Sequence, residues 1–143
     1  MNAVATFVTD SEYETTALGE RVAARLTGGT VVAFFGGLGM GKTAFVRGMA
    51  RILSPDAAVS SPTFALVNDY GGNPPLVHFD MYRVCGWEYL DTTGFFEYLD
   101  AGAVLAVEWS ENIEAALPAD AVRVTFERES DTRRNITIEG VEL

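Results

Sequence analysis

Hydrophobic residues recur along the chain with two alternating periods, which predict strands and helices in turn. The runs "VATFV", "TVVAFF", "LVHFDMY" and "AVLAVEW" are apolar or alternating and rich in β-branched and aromatic residues, which is typical of strands. The segments "DSEYETTALGERVAARL" and "KTAFVRGMARIL" repeat their apolar positions at the helical period. Ser11 and Glu14 have the spacing of a capping box at the start of the first helix, and Pro55 prevents the second helix from continuing.

The rest of the chain continues this alternation. "TFALVNDY" is predicted to be a strand, which the turn-rich "GGNPP" joins to "LVHFDMY". "EYLDTTGFFEYL" and "SENIEAAL" are predicted as short helical stretches, and "AVRVTFERE" with "NITIEGVEL" as a closing hairpin. Because strands alternate with helices, we expect an α/β fold whose sheet has a parallel centre and a mixed edge. No repeat or boundary divides the sequence, so residues 1–143 are expected to form a single domain.

The charge balance limits the partners that the chain can have. There are 10 Lys and Arg against 20 Asp and Glu, a net charge of −10. Such a surface repels bare nucleic acid, so a role in nucleic-acid chemistry would run through a protein partner. Cys85 is the single cysteine, which excludes an internal disulfide. The sequence shows no leader and no long apolar run, so we expect a cytoplasmic protein without membrane association.

The stretch "GGLGMGKT" at residues 36–43 satisfies the pattern G-x-x-x-x-G-K-[ST] between a buried strand and a helix. Backbone N–H groups of such a loop, with the positive end of the helix dipole, can hold the β-phosphate of a triphosphate. Glycine permits backbone conformations and a close phosphate approach that a Cβ would prevent. Lys42 would neutralise the β- and γ-phosphates, and the Thr43 hydroxyl would hold Mg²⁺. The pattern predicts nucleotide binding, but it does not define the reaction.

Two carboxylates stand at the ends of apolar runs that are predicted to be separate strands. Asp80 ends "LVHFD" and Glu108 ends "AVLAVE". A P-loop enzyme needs an acidic group at such a strand end to hold Mg²⁺, and often one to orient the attacking nucleophile. Each could instead be the first solvated residue after a buried strand, but two of them in a P-loop protein favour a functional role for at least one.

Three further residues have both an ordinary and a functional interpretation. Thr63 in "SSPTF" fits a turn that starts a strand, or a switch threonine that senses the γ-phosphate and Mg²⁺. Trp109 could flank a nucleotide or pack in the core, which is the more usual place for tryptophan. His78 is the single histidine and lies in an apolar strand, where a core role is more usual than ligand binding.

Together these motifs resemble the bacterial TsaE (YjeE) family. "GGLGMGKTAFVRG", "SSPTFALVNDY", "HFDMYR", "LDTTGFFEYL" and "VEWSE" stand in the order and spacing of that family, from the first helix to the last hairpin. The resemblance implies a P-loop NTPase-like three-layer sandwich with a mostly parallel central sheet and antiparallel edge strands. It also implies a small ATPase, using ATP and Mg²⁺, that supports the formation of threonylcarbamoyladenosine next to the anticodon of tRNA. The implied partners are TsaB and TsaD homologues, and tRNA would be contacted indirectly through that complex. When free, the protein would be a monomer.

The resemblance also implies roles for individual residues. Thr43 and Glu108 would hold Mg²⁺, while Asp80 would lie near the γ-phosphate and assist hydrolysis together with Lys42. The other implied nucleotide contacts come from the loop, the first helix start, the switch threonine, the tryptophan and the last hairpin, namely Gly36, Gly37, Leu38, Gly39, Met40, Gly41, Ser11, Thr63, Trp109 and Arg134. Arg133 is an alternative to Arg134, and the sequence does not decide between them.

The chain departs from the family pattern at Gly37, where many relatives have an acidic residue, and at Met40, where they have alanine. Both positions are variable within the loop. "VCGWEYLDTTGFF" departs more, which could alter partner contacts. Two other functions are compatible with the same glycine-rich loop. One is a small kinase, although the chain has few arginines that could clamp a second substrate. The other is a switch that binds nucleotide without hydrolysing it.

Overall fold

The structure is a computed structural model that describes residues 3–36, 41–59, 67–82, 84 and 87–143. Within these residues the strands are β1 (Val4–Thr9), β2 (Val31–Phe35), β3 (Val67–Gly72), β4 (Pro75–Asp80), β5 (Val104–Glu108), β6 (Val122–Arg128) and β7 (Arg134–Glu139). The helices are α1 (Glu12–Ala23), α2 (Lys42–Leu53), α3 (Trp87–Thr92) and α4 (Phe95–Asp100), with a 3₁₀ helix at Ser110–Ala116. None of the described helices has the length and apolar character needed to cross a membrane.

The strands form one mixed sheet in the order β1-β7-β6-β2-β5-β4-β3. The neighbours β6, β2, β5 and β4 run parallel to one another. At the two sides, β3 pairs antiparallel with β4, and β7 pairs antiparallel with both β6 and β1. The predicted α/β fold with antiparallel strands at the edges is therefore confirmed.

Helices cover both faces of the sheet and give the molecule three layers. Strand β2 is apolar throughout, and β5 is apolar up to Glu108, because both faces of these strands are buried. The face against α1 and α2 is formed by Val32, Phe34, Leu76, Val104, Ala106, Val122, Val124, Phe126, Ile136 and Ile138. The face against α3, α4 and the 3₁₀ helix is formed by Val31, Val77, Phe79, Leu105 and Val107.

Two glycines allow α1 and α2 to pack with their backbones in close approach. A Cβ on Gly19 would lie 2.1 Å from the carbonyl oxygen of Phe45, and a Cβ on Gly48 would lie 1.9 Å from that of Thr16. Both distances are far below van der Waals contact, so these positions exclude any larger side chain unless the helices separate. The close packing fixes α2, whose first residue is Lys42, against α1.

Three local predictions need correction or refinement. The closing hairpin β6–β7 is present, but it lies inside the sheet because β1 pairs with the far side of β7 and forms the edge. "EYLDTTGFFEYL" forms two helices, α3 and α4, and Gly94 precedes α4 with φ 83°. "SENIEAAL" forms a 3₁₀ helix that is interrupted at Ile113, where φ is −128°.

Candidate functional site

Four of the predicted functional residues, Lys42, Thr43, Asp80 and Glu108, lie at one edge of the sheet. Parallel strands β2, β5 and β4 end at Phe35, Glu108 and Asp80, so their carboxyl ends share this edge. Helix α2 also begins here, with Lys42 as its first residue and Thr43 in its first turn. In open α/β sheets, ligands bind outside the carboxyl ends of the strands, which makes this edge the candidate site.

The two described ends of the glycine-rich loop have glycine for different reasons. Gly36 has φ 123°, and a Cβ there would lie 2.7 Å from the carbonyl oxygen of Phe126 on β6. Its requirement for glycine therefore comes from the fold as well as from any ligand. Gly41 has φ 98°, and a Cβ there would meet only an ordinary contact, 3.6 Å from Thr15 Cγ2, so the left-handed backbone rather than lack of space requires glycine there. Gly37, Leu38, Gly39 and Met40 lie outside the described residues.

Lys42 is held at the site with most of its side chain buried. Only 5% of Lys42 is exposed, and its Nζ donates a hydrogen bond to the carbonyl oxygen of Gly36 at 2.6 Å. The same ammonium lies 5.2 Å from the ring centre of Trp109, within the range of a cation–π contact. An ammonium has three N–H donors, so two remain for acceptors such as phosphate oxygens.

Asp80 and Glu108 are direct neighbours across β4 and β5. Their Cα atoms are paired in the parallel register. Asp80 Oδ1 accepts a hydrogen bond from the backbone N–H of Tyr82 at 2.9 Å, which fixes the carboxylate at the start of the following turn. Glu108 is only 8% exposed. This burial does not fit the interpretation of Glu108 as simply the first solvated residue after a strand.

His78 is fully buried, as the sequence predicts for a core residue, and its side chain also contacts the candidate site. Its Nε2 lies 2.6 Å from Glu108 Oε2. The signal was present in the spacing. His78 lies two residues before Asp80 and pairs in register with Ala106, which lies two residues before Glu108, so all four residues are on one face of the sheet.

Trp109 has a left-handed backbone, with φ 58° and ψ 41°, which is rare for a residue with a large side chain. The ring centre of Trp109 lies 4.9 Å from that of Tyr82, so the indole contacts both Tyr82 and the Lys42 ammonium. Asn112 Nδ2 donates to the carbonyl oxygens of Met81 and Tyr82 at 2.7 and 3.2 Å. These contacts hold the segments that follow β4 and β5 together. Trp109 thus packs against the core and also lines the site.

A cavity of about 370 Å³ opens beside the end of the glycine-rich loop. Its walls come from the start of α1, the loop end and the β6–β7 turn, and the lining residues are Asp10, Ser11, Glu12, Thr15, Gly41, Asp131, Thr132 and Arg134. Its volume is within the range of small-molecule sites. Ser11 also caps α1, where its Oγ accepts from the backbone N–H of Glu14 at 3.2 Å.

The two candidate arginines of the last hairpin have different surroundings. Arg134 lines the cavity, whereas Arg133 Nε donates to Asp10 Oδ1 at 2.7 Å. The hydrogen bond that Arg133 donates to Asp10, together with the negative charges of Asp10 and Glu129, raises the pKa of Arg133 above its ordinary value. Arg133 therefore supports one wall of the cavity. Arg134 lines it, with Nη1 donating to the carbonyl oxygens of Ser130 and Arg133 at 2.7 and 3.1 Å.

The donor set at this edge suits a nucleoside triphosphate with Mg²⁺. The Lys42 ammonium and the start of α2, which has no side-chain cap, offer positive charge and N–H donors to phosphate oxygens. The Thr43 hydroxyl and the carboxylates of Asp80 and Glu108 offer the oxygen ligands that Mg²⁺ prefers. Thr63 lies outside the described residues, so its predicted role as a switch threonine stays a prediction.

The sheet order, the strand–loop–helix at residues 31–53 and the grouped carboxylates define an α/β protein of the P-loop NTPase-like class. A model of the family "Threonylcarbamoyl adenosine biosynthesis protein TsaE" matches residues 9–136. The chain belongs to the TsaE family.

Similar proteins support this membership over most of the chain. The chain is 36% identical over 129 residues to the tRNA threonylcarbamoyladenosine biosynthesis protein TsaE of Bacillus subtilis, covering 90% of this chain and 80% of that protein. It is 34% identical to the protein of the same name in Treponema pallidum, covering 92% and 97% of the two chains. Among solved structures, Bacillus subtilis YdiB aligns with a TM-score of 0.81 at 34% identity, covering 99% of this chain and 88% of that one.

Proposed function

We propose that this protein is a Mg²⁺-dependent ATPase that supports the formation of threonylcarbamoyladenosine in tRNA by acting on a complex of TsaB and TsaD homologues. One observation carries the proposal: Lys42, Asp80 and Glu108 meet at the carboxyl edge of the sheet, beside the start of α2, in a chain of the TsaE family.

The surroundings of each residue suggest its part in hydrolysis. Lys42 binds the β- and γ-phosphate oxygens with the two N–H donors that Gly36 does not take. The Thr43 hydroxyl and the Glu108 carboxylate hold Mg²⁺, which when bound neutralises charge on the phosphates. Asp80 keeps one oxygen on the Tyr82 N–H and uses the other to orient the attacking water.

The cavity beside Gly41 takes the nucleoside part of ATP. Three of its lining residues, Asp10, Glu12 and Asp131, are acidic and would repel phosphates, but they can accept hydrogen bonds from the amino group of a base. Arg134 lines the same cavity and supplies a positive charge toward the phosphates. In this arrangement the triphosphate binds at the glycine-rich loop, and the base binds between the start of α1 and the β6–β7 turn.

The net charge of −10 supports an indirect role toward tRNA. Electrostatic attraction to phosphates dominates most nucleic-acid binding, and this chain carries twice as many acidic as basic residues. The TsaB–TsaD complex would therefore make the main tRNA contacts, while this protein joins it as a monomer in the cytoplasm.

A product analysis tests hydrolysis against phosphoryl transfer to a metabolite. The arrangement of Arg51 weighs against a kinase, because this arginine pairs with Glu20 at 3.3 Å and lies about 14 Å along α2 from Lys42. With γ-labelled ATP, Mg²⁺ and the TsaB–TsaD complex, the label should appear as inorganic phosphate. Label in a phosphorylated acceptor, or label remaining in ATP despite normal binding, contradicts the proposed hydrolysis.

A further inference from the structure

His78 is buried in a position where the sheet otherwise presents apolar side chains to α2. It is 0% exposed, and its neighbours on the same face are Leu76 on β4 and Ala106 on β5, which are both fully buried. An imidazole is costly at such a position unless its polar atoms are used. The hydrogen bond between its Nε2 and Glu108 Oε2, at 2.6 Å, therefore gives a reason for a histidine rather than an apolar residue at this position.

The direction of this hydrogen bond follows from the partners. A carboxylate has no hydrogen to donate, so Nε2 must carry the hydrogen and donate it to Oε2. The other ring nitrogen, Nδ1, is buried and has no hydrogen-bond partner among the described residues. A second N–H at Nδ1 would be a buried donor without an acceptor there, so the arrangement favours a lone pair on Nδ1.

The ring that donates this bond is itself held in place. His78 lies between β3 and β5 in the sheet, paired in register with Asn68 on one side and Ala106 on the other. The ring centre of Tyr70 lies 6.4 Å from that of His78, with 38° between the planes. A donor fixed by two strands and an aromatic neighbour can in turn fix the rotamer of the carboxylate that it contacts.

We propose that His78 is a positioning residue that holds the Glu108 carboxylate through the Nε2–H···Oε2 bond, so that Oε1 is presented to the divalent cation of a bound nucleotide. This inference rests on the proposed function, which assigns Glu108 to Mg²⁺. Partners that orient metal ligands through hydrogen bonds contribute to metal affinity, and their loss commonly weakens it about 10- to 100-fold.

Binding measurements separate positioning from a purely structural role. The affinity for AMP-PNP is measured by calorimetry with Mg²⁺ and with EDTA, for wild type, His78→Leu, His78→Gln and Leu76→Val. Leu76→Val is the matched control, because Leu76 is equally buried on the same strand and face but does not contact Glu108.

In His78→Leu the gain in affinity that Mg²⁺ provides should fall about 10-fold or more, with the affinity in EDTA unchanged. His78→Gln keeps an N–H donor near the position of Nε2 and should recover part of the gain. Leu76→Val should behave as wild type. A folded His78→Leu variant with the full Mg²⁺ gain overturns the inference.

A second measurement needs no variant. His78 is the single histidine, so its ring nitrogen signals in an NMR spectrum of the ¹⁵N-labelled protein are unambiguous. The inference predicts a hydrogen on Nε2 and a bare Nδ1, and a hydrogen on Nδ1 with a bare Nε2 overturns it.

The binding measurements also distinguish failure of the proposed function from failure of this inference. If Mg²⁺ does not increase the affinity of wild type for AMP-PNP, the proposed function fails and this inference fails with it. If Mg²⁺ increases the affinity of wild type and of His78→Leu equally, this inference fails but the proposed function stands.

Discussion

Asp80 and Glu108 occupy equivalent ends of neighbouring strands, yet their oxygen atoms have different partners. Oδ1 of Asp80 accepts from the Tyr82 backbone N–H, while Oε2 of Glu108 contacts a buried histidine ring. Glu108 is also more deeply buried, and a buried carboxylate interacts more strongly with a cation than an exposed one. Under the proposed function, these differences favour Glu108 as the Mg²⁺ ligand and Asp80 as the residue that orients the attacking water.

Charge-removing substitutions of near-equal size test this separation. Asp80→Asn keeps the acceptor for the Tyr82 N–H but weakens the activation of water, so kcat should fall about 100-fold with an unchanged Mg²⁺ requirement. Glu108→Gln keeps an acceptor for His78 but loses the charge, so the Mg²⁺ requirement for nucleotide binding should rise about 10-fold. Phosphate release and calorimetry across a Mg²⁺ titration measure both effects. If the Mg²⁺ requirement rises in Asp80→Asn and not in Glu108→Gln, Asp80 rather than Glu108 is the Mg²⁺ ligand.

Trp109 shows why part of the site could not be predicted from the sequence. "AVLAVEW" predicts a strand that continues to the tryptophan, but β5 ends at Glu108 and Trp109 adopts a left-handed backbone. Such a conformation costs on the order of 1–3 kcal/mol for a residue other than glycine and persists only where the surroundings impose it. The ring contacts with Tyr82 and Lys42 supply those surroundings, and each partner comes from a different part of the chain.

At the scale of elements, the β6–β7 turn and the start of α1 together form the wall of the cavity. They are distant in sequence, and the hydrogen bond between Arg133 and Asp10 joins them. The sequence identified both elements as borders of a nucleotide site only through the family resemblance. The different surroundings of Arg133 and Arg134 could not be predicted from the sequence, because the ion pair of Arg133 with Asp10 and the place of Arg134 at the start of β7 exist only in the folded chain.

Two alanine substitutions in adjacent residues test the assignment of the cavity. Arg134→Ala removes the guanidinium that lines the cavity, so the affinity for ATP should fall about 10-fold or more, as expected for the loss of a charged hydrogen-bond donor. Arg133→Ala is the matched control and removes an equal charge from a half-exposed pair with Asp10. Its effect should be clearly smaller. Equal losses in both variants would show that overall charge, rather than the cavity, sets the affinity.

The α1–α2 pair makes a separate prediction about stability. Gly48→Ala places a methyl group against the Thr16 carbonyl, so the free energy of unfolding should fall by about 2 kcal/mol despite the better helix propensity of alanine. Gly19→Ala should cost a similar amount. Both glycines permit one close approach, so the double variant should cost less than the sum of the two. Urea unfolding measures these values, and strict additivity would contradict a shared packing constraint.

At the scale of the whole molecule, strands with strong patterns were predictable but their order was not. β2 and the first four residues of β5 are continuous apolar runs because they lie at the parallel centre with both faces covered. The pairing of β1 with β7 joins opposite ends of the chain, and no local pattern in "VATFV" indicates that partner. The core position of His78 was predictable from its apolar strand, but its hydrogen bond to Glu108 was not, because this bond exists only once β4 and β5 lie side by side.

The most direct test of the central claim is phosphate release from Mg-ATP by this protein, alone and with purified TsaB–TsaD from the same source. Wild type, Lys42→Ala and Arg51→Ala are compared, because both variants lose one positive charge from α2 but only Lys42 lies at the sheet edge. The account predicts that the pair stimulates phosphate release by wild type and Arg51→Ala and has no effect with Lys42→Ala. Normal ATP binding by wild type without stimulation, or equal stimulation of Lys42→Ala, would contradict it.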